Sequence, residues 1–221
     1  MSSEDLNDIA SAFRYKPLVP LDPTVSIDAF LSDDVKIVLD LSKTKGIYEL
    51  TDEFQAFDSL KKIILPNTLR IIRERTFTFC SSLEEVVIPA SVTEIEPSSL
   101  CFAKYIEVSK KNSNYSSYDG VLYNKDKTEL ILCPSEHTRE IKLYDGTEVI
   151  SEGAFVCCNN LREIKIPKSV VEIKDMAFFN CESLMRVTLP NAIAAQLTDE
   201  SISNKFFQCY RLSTILDYGT D

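Results

Sequence analysis

Seven cysteines and a single histidine are the residues of this 221-residue chain with the most reactive side chains. A thiolate can act as nucleophile, redox partner or soft-metal ligand, and a neighbouring histidine would be its natural base. The spacings point away from each role. No C-x-x-C pair occurs, and the cysteines and His137 form no tight four-ligand set of the kind a structural zinc ion needs. Cys157 adjoins Cys158, but neighbours in a strand-like segment point to opposite faces, which disfavours a redox pair. His137 has no nucleophile at a recognisable spacing. G-x-S-x-G, P-loop and H-E-x-x-H patterns are missing, and five glycines provide no phosphate-cradling loop. The residues therefore predict no catalysis, no cofactor and no metal. Asn114-Tyr115-Ser116 is a glycosylation sequon that matters only in a secretory pathway.

What the cysteines do show is a period. Cys80, Cys158, Cys181 and Cys209 each stand three residues before a leucine: Leu83, Leu161, Leu184 and Leu212. Leu60 to Leu83 and Leu161 to Leu184 are both 23-residue steps, and another copy starts at Thr138. A shorter copy begins near Ala103. Counting each opening residue as position one, position four reads Ile63, Val86, Ile106, Ile141, Ile164, Val187 and Ile215, all β-branched. Position six reads Leu65, Ile88, Val108, Leu143, Ile166 and Leu189. Alternation with exposed positions is the signature of a half-buried strand. Pro66, Pro89, Pro167 and Pro190 stop that strand, because proline cannot extend a central ladder. Ile72, Ile95, Ile150 and Ile173 share a later column, and Phe77, Leu100, Phe155, Phe178 and Phe206 an aromatic-rich one.

A coil of this size cannot hold alone and must stack on its neighbours, which sets successive strands about 4.8 Å apart. The sequence predicts a mainly β solenoid, or α/β if the return segments are helical, with one parallel sheet over residues 35–217. The recurring cysteines then form a buried column of thiols behaving as small hydrophobes. Coil spacing does not exclude disulfides, but the odd count favours reduced thiols.

Three stretches break the period. Residues 1–34 contain Pro17, Pro20 and Pro23. Leu6, Ile9, Ala10 and Phe13 have helical spacing, so this segment reads as a cap over the first coil, or else as a flexible tail. Residues 109–137 carry two β-rich runs, Val121-Leu122-Tyr123 and Glu129-Leu130-Ile131-Leu132, around a polar five-residue turn, predicting an inserted β-hairpin. Its Tyr115, Tyr118 and Tyr123 either pack the hairpin onto the coils or form an exposed contact patch. Residues 194–201 insert a bulge or helical turn in the last full coil. Residues 218–221 read as a tail; an open C-terminal end would support self-association.

Net charge is −10, which repels phosphate backbones and argues against nucleic acid. No window approaches the run of apolar residues a membrane span needs. The N-terminus lacks a basic region followed by an apolar one, so a standard secretory signal is not expected and a cytoplasmic location is the reading.

The pattern L-x-x-I-x-L/I-P-x-x-V-x-x-I-x-x-x-A-F-x-x-C, best kept in 161-LREIKIPKSVVEIKDMAFFNCES, resembles the BspA-type (Treponema-type) leucine-rich repeat. The segment 112-NSNYSSYDGVLYNKDKTELILCP is similar to an insertion recurrent in that family. The resemblance implies a solenoid that binds proteins, and many members are surface proteins that attach to host proteins or other cells. The missing signal departs from secreted members.

The outward side chains of the strands are the candidate binding surface. Position three runs Lys62, Glu85, Tyr105, Glu140, Glu163, Arg186 and Thr214; position five runs Ile64, Val87, Glu107, Lys142, Lys165, Thr188 and Leu216. One reading is a solvated face with weak cross-strand ion pairs such as Glu163 with Lys142. The other is a protein-docking face, sharpest where Ile64, Val87 and Tyr105 make an apolar-aromatic strip. Such a module would serve adhesion or surface recognition, or act as an intracellular scaffold through the same face.

Overall fold

A computed structural model describes residues 26–27, 37–136 and 141–219. The capping reading of residues 1–34 thus falls almost entirely outside the described residues, as does His137. The chain divides into two compact units, Met1–Asn114 and Tyr115–Asp221.

Unit 1 is a stack of coils with two parallel ladders. The first joins β2 (Ile37–Asp40), β4 (Leu60–Ile64), β6 (Glu85–Ile88) and β8 (Tyr105–Val108), with β1 (Ser26–Ile27) antiparallel on the outer edge of β2. The second joins the two-residue strands β3 (Glu49–Leu50), β5 (Ile71–Ile72) and β7 (Glu94–Ile95). The register is the one the period requires. Leu39, Ile63, Val86 and Ile106 are mutual ladder partners and all wholly buried. Leu50, Ile72 and Ile95 form the matching inner column of the second ladder.

Unit 2 repeats the plan with an added meander. Strands β9 (Tyr115–Tyr118), β10 (Val121–Asn124) and β11 (Glu129–Leu132) are antiparallel neighbours. The hairpin anticipated between β10 and β11 is present, and β9 adds a third strand. β11 also belongs to this unit's own second ladder, pairing parallel with β12 (Val149–Ile150), which pairs with β14 (Glu172–Ile173). The first ladder of this unit contains β13 (Glu163–Lys165), β15 (Arg186–Leu189) and β16 (Thr214–Asp217). Two short helices follow β15: α1 (Asn191–Ala194) and α2 (Asp199–Lys205). The hydroxyl of Thr198 caps α2 by accepting from Ser201 N–H, and Ser201 Oγ accepts from Thr198 N–H in return.

Each coil closes through a turn built on the aromatic column. Phe54 stacks on Phe77 at 5.6 Å between centroids, Phe155 on Phe178 at 4.7 Å, and Phe178 on Phe206 at 5.0 Å. The turn demands left-handed backbone two residues after the aromatic. Ala56, Phe79, Cys157, Asn180 and Gln208 all have φ between 55° and 63° there. Arg75, Gly153 and Met176 are left-handed two residues before it. L side chains disfavour this region, so stacking of the coils holds these residues against local preference.

Candidate functional site

The ladder register of unit 1 sets its outward side chains in two rows. Val38, Lys62, Glu85 and Tyr105 form one; Asp40, Ile64, Val87 and Glu107 form the other. Lys62 and Glu85 pair across the ladder at 2.7 Å, and Lys61 and Glu84 beside them at 3.2 Å. These pairs satisfy one another and leave the apolar members. Ile64, Val87 and Tyr105 are half-buried and Val38 is 38% exposed. Asp40 and Glu107 stand exposed at the two ends of the second row. The N–H of Ser42 donates to the Asp40 carboxylate at 2.8 Å and holds its pKa below the usual value. One row is therefore an apolar pair with acidic ends, and the other a charged pair with Val38 and Tyr105 at its ends.

Unit 2 assembles its rows from fewer strands. Glu163, Arg186 and Thr214 are ladder partners, as are Lys165, Thr188 and Leu216. Glu163 pairs with Arg186 at 2.8 Å and not with Lys142. The reason is local: residues 141–143 form no strand, so Lys142 is exposed without the register that would set it beside Glu163. Glu140 lies outside the described residues. Tyr218, in the segment that reads as a tail, packs back on the unit. Its hydroxyl donates to the Ile166 carbonyl at 2.5 Å, and the ammonium groups of Lys165 and Lys168 lie 4.7 and 5.1 Å from its ring centre. Nothing in the sequence marks Tyr218 as part of this face, because it falls beyond the last repeat.

The thiols serve packing and turn closure. The Cys80 thiol donates to the Phe54 carbonyl at 3.0 Å, Cys181 to Phe155 at 2.9 Å and Cys209 to Phe178 at 3.0 Å. Cys158 reaches the carbonyl of Cys133 at 3.8 Å. Cys133 thus takes the aromatic column's place in the coil that holds the meander, a substitution hidden by the insertion's altered spacing. The neighbouring thiols Cys133, Cys158 and Cys181 push up the pKa of Cys158, Cys181 and Cys209 respectively, and burial adds to this. Protonated thiols are poor nucleophiles and poor ligands. None of the seven cysteines forms a disulfide. Among the described residues no group of three or more His, Cys, Asp or Glu side chains could hold a metal ion. Among the same residues no helix is long and apolar enough to cross a membrane.

The hairpin tyrosines divide between the two roles anticipated for them. Tyr123 is wholly buried, its hydroxyl accepting from Tyr144 N–H at 3.2 Å, and burial raises its pKa to about 12. Tyr118 is 40% exposed and meets Tyr144 edge-on at 5.5 Å, while Tyr115 is half-buried.

A family model described as BspA type leucine rich repeat region matches residues 49–139 and 133–216, with six copies. Among solved structures, the pneumococcal vaccine antigen PcpA is similar at 25% identity over 62% of this chain, with a TM-score of 0.49. This chain spans 41% of that antigen's length. A leucine-rich repeat protein of Eubacterium ventriosum shares 18% identity, covering 86% of this chain and 82% of its own, at a TM-score of 0.47. The leucine rich repeat protein of T. pallidum shares 19% identity, covering 87% and 80%, at 0.37. No curated protein matches.

Proposed function

Because this chain belongs to the BspA type leucine-rich-repeat family, we propose that it is a non-enzymatic protein-recognition module whose docking surface is the outward sheet face of unit 1. The observation that carries this reading is the composition of that face. Ile64 and Val87 are ladder partners in the middle of one row, and Val38 and Tyr105 stand at the two ends of the neighbouring row. A face kept only for solubility would place charge at these positions. Instead, the charges of this region are the cross-paired Lys62 with Glu85 and Lys61 with Glu84, and the acidic ends. An apolar pair bordered by charged side chains, with a tyrosine at one edge of the face, fits a protein interface, where aromatic residues are enriched.

Attachment at a cell surface is the use favoured by the family resemblance. An intracellular adaptor would use the same face. Antibody labelling of intact against permeabilised cells separates them, since a strictly internal signal rules out adhesion.

The binding face itself is tested by partner capture. The immobilised wild-type protein and the double variant Tyr105→Ala, Val87→Lys are compared, with melting curves on both. Both side chains point away from the core, so the variant should melt close to wild type and lose most of the capture. Undiminished capture by a folded variant would discard this face.

A further inference from the structure

Residues 115–221 hold more Asp and Glu than Lys and Arg, but several of their cations neighbour one another around β13. Arg162, Lys165 and Arg186 lie on and beside β13 and β15, and Lys168 joins Lys165 at the Tyr218 ring. Arg186 is paired with Glu163, but Lys142, Arg162, Lys165 and Lys168 have no carboxylate partner among the described residues. Glu163 stands among these cations and is taken up by Arg186, and Asp217 lies on β16; other carboxylates sit on the second ladder. Glu129 and Glu172 belong to the second ladder, and Glu148 and Glu152 flank its strand β12. With Glu163 already paired to Arg186, Arg162, Lys165 and Lys168 give this side a local excess of positive charge.

The same side is concave and has an apolar floor. A recess of about 980 Å³ beside β13 has Ile141, Leu161 and Met185 in its lining together with Arg162, Lys165 and the paired Glu163 and Arg186. Met185 is 38% exposed there. Two ammonium groups held within about 5 Å of one ring repel each other, and a carboxylate between them would relieve that repulsion.

We propose that this face of unit 2 docks an acidic polypeptide segment, distinct in position and charge from the strip of unit 1. Carboxylates of the segment meet Lys165, Lys168 and Arg162, and its apolar side chains enter the recess over Ile141, Leu161 and Met185. The apolar floor favours a polypeptide over a sulfated polysaccharide, which would need a cationic surface but no hydrophobic recess.

The test is fluorescence anisotropy with the whole protein and a labelled peptide of alternating glutamate and leucine. A lysine-leucine peptide and heparin serve as comparisons. Saturable binding of the acidic peptide, weakened about tenfold or more in Lys165→Glu, Lys168→Glu, supports the proposal. Lys165→Gln, Lys168→Gln should give an intermediate loss. Both pairs are at the surface, and a melting curve checks that they fold. Binding should survive in Ile64→Lys, Val87→Lys, which alters only unit 1; loss there would place the peptide on unit 1 and overturn the proposal. Failure of wild type to bind the acidic peptide would overturn it, as would equal affinity for the lysine-leucine peptide. Binding of heparin in preference to the acidic peptide would assign the face to polysaccharide and equally overturn it.

Discussion

The thiol of Cys181 donates a hydrogen bond to the main-chain carbonyl of Phe155, one coil earlier, at 2.9 Å. Cysteine recurs in this column because it fills a small apolar space and also supplies a donor. Cys181→Ala removes both and should cost about 1–3 kcal/mol. Cys181→Ser keeps the donor and Cys181→Val keeps the bulk. If the donor matters, serine should cost less than valine in chemical denaturation. The reverse order would return the thiol to the role of a simple hydrophobe.

Thiol accessibility and alkaline stability follow from the same column. Cys80, Cys133, Cys158, Cys181 and Cys209 are buried, while Cys101 and Cys157 are half-buried. A thiol reagent at neutral pH should modify at most the latter two in the folded protein and all seven after unfolding. The folded pKa of Cys158, Cys181 and Cys209 lies above the ordinary 9.0. The unfolded chain therefore releases these protons first. Their stabilising effect is complete below pH 9.0 and declines as pH rises above it towards the folded values. Replacing Cys181 and Cys209 with alanine should flatten this alkaline decline. An unchanged slope would show that other groups cause it.

Arg75 is exposed and has φ 67°. Glycine adopts this conformation freely, so Arg75→Gly should raise stability by up to about 1 kcal/mol. Arg75→Val should lower it, because a β-branched residue is most strained there. Thermal melts of the two variants should bracket the wild type.

Arg73 holds three carboxylates of the second ladder in unit 1: Glu49 at 2.6 Å, Glu94 at 2.7 Å and Glu96 at 3.2 Å. Hydrogen bonds to Glu49 and Glu96 raise its pKa further. Arg73→Gln leaves three like charges together without their counterion. Its Tm should fall at low ionic strength and approach wild type as salt is added, since exposed charges are screened. A deficit insensitive to salt would mean that the side chain acts by packing.

The inward columns were legible because one period places Ile63 and Val86, or Ile164 and Val187, in equivalent strands, and burial of one face fixes the register. The left-handed turns were not. Ala56, Arg75, Phe79 and Met176 carry no local signal for φ above zero, since contacts with the adjoining coils impose it. The third strand of the meander, β9, escaped notice because Tyr-Ser-Ser-Tyr lacks the apolar alternation of a half-buried strand. The outward rows could be read as positions but not as partners. Glu163 chose Arg186 because the coil before β13 forms no ladder, and Lys165 met Tyr218 from beyond the repeats.

Deleting one whole coil tests most directly the claim that successive coils are equivalent and stack in register. Removal of residues 60–82 joins Ser59 to Leu83 and should let β2 pair with β6 and β3 with β7. Hydrogen exchange should then show continued protection of β2, β6 and β8, whereas removal of residues 60–71 alone should abolish it. Loss of protection to the same extent in both deletions would contradict the repeat architecture on which the binding faces depend.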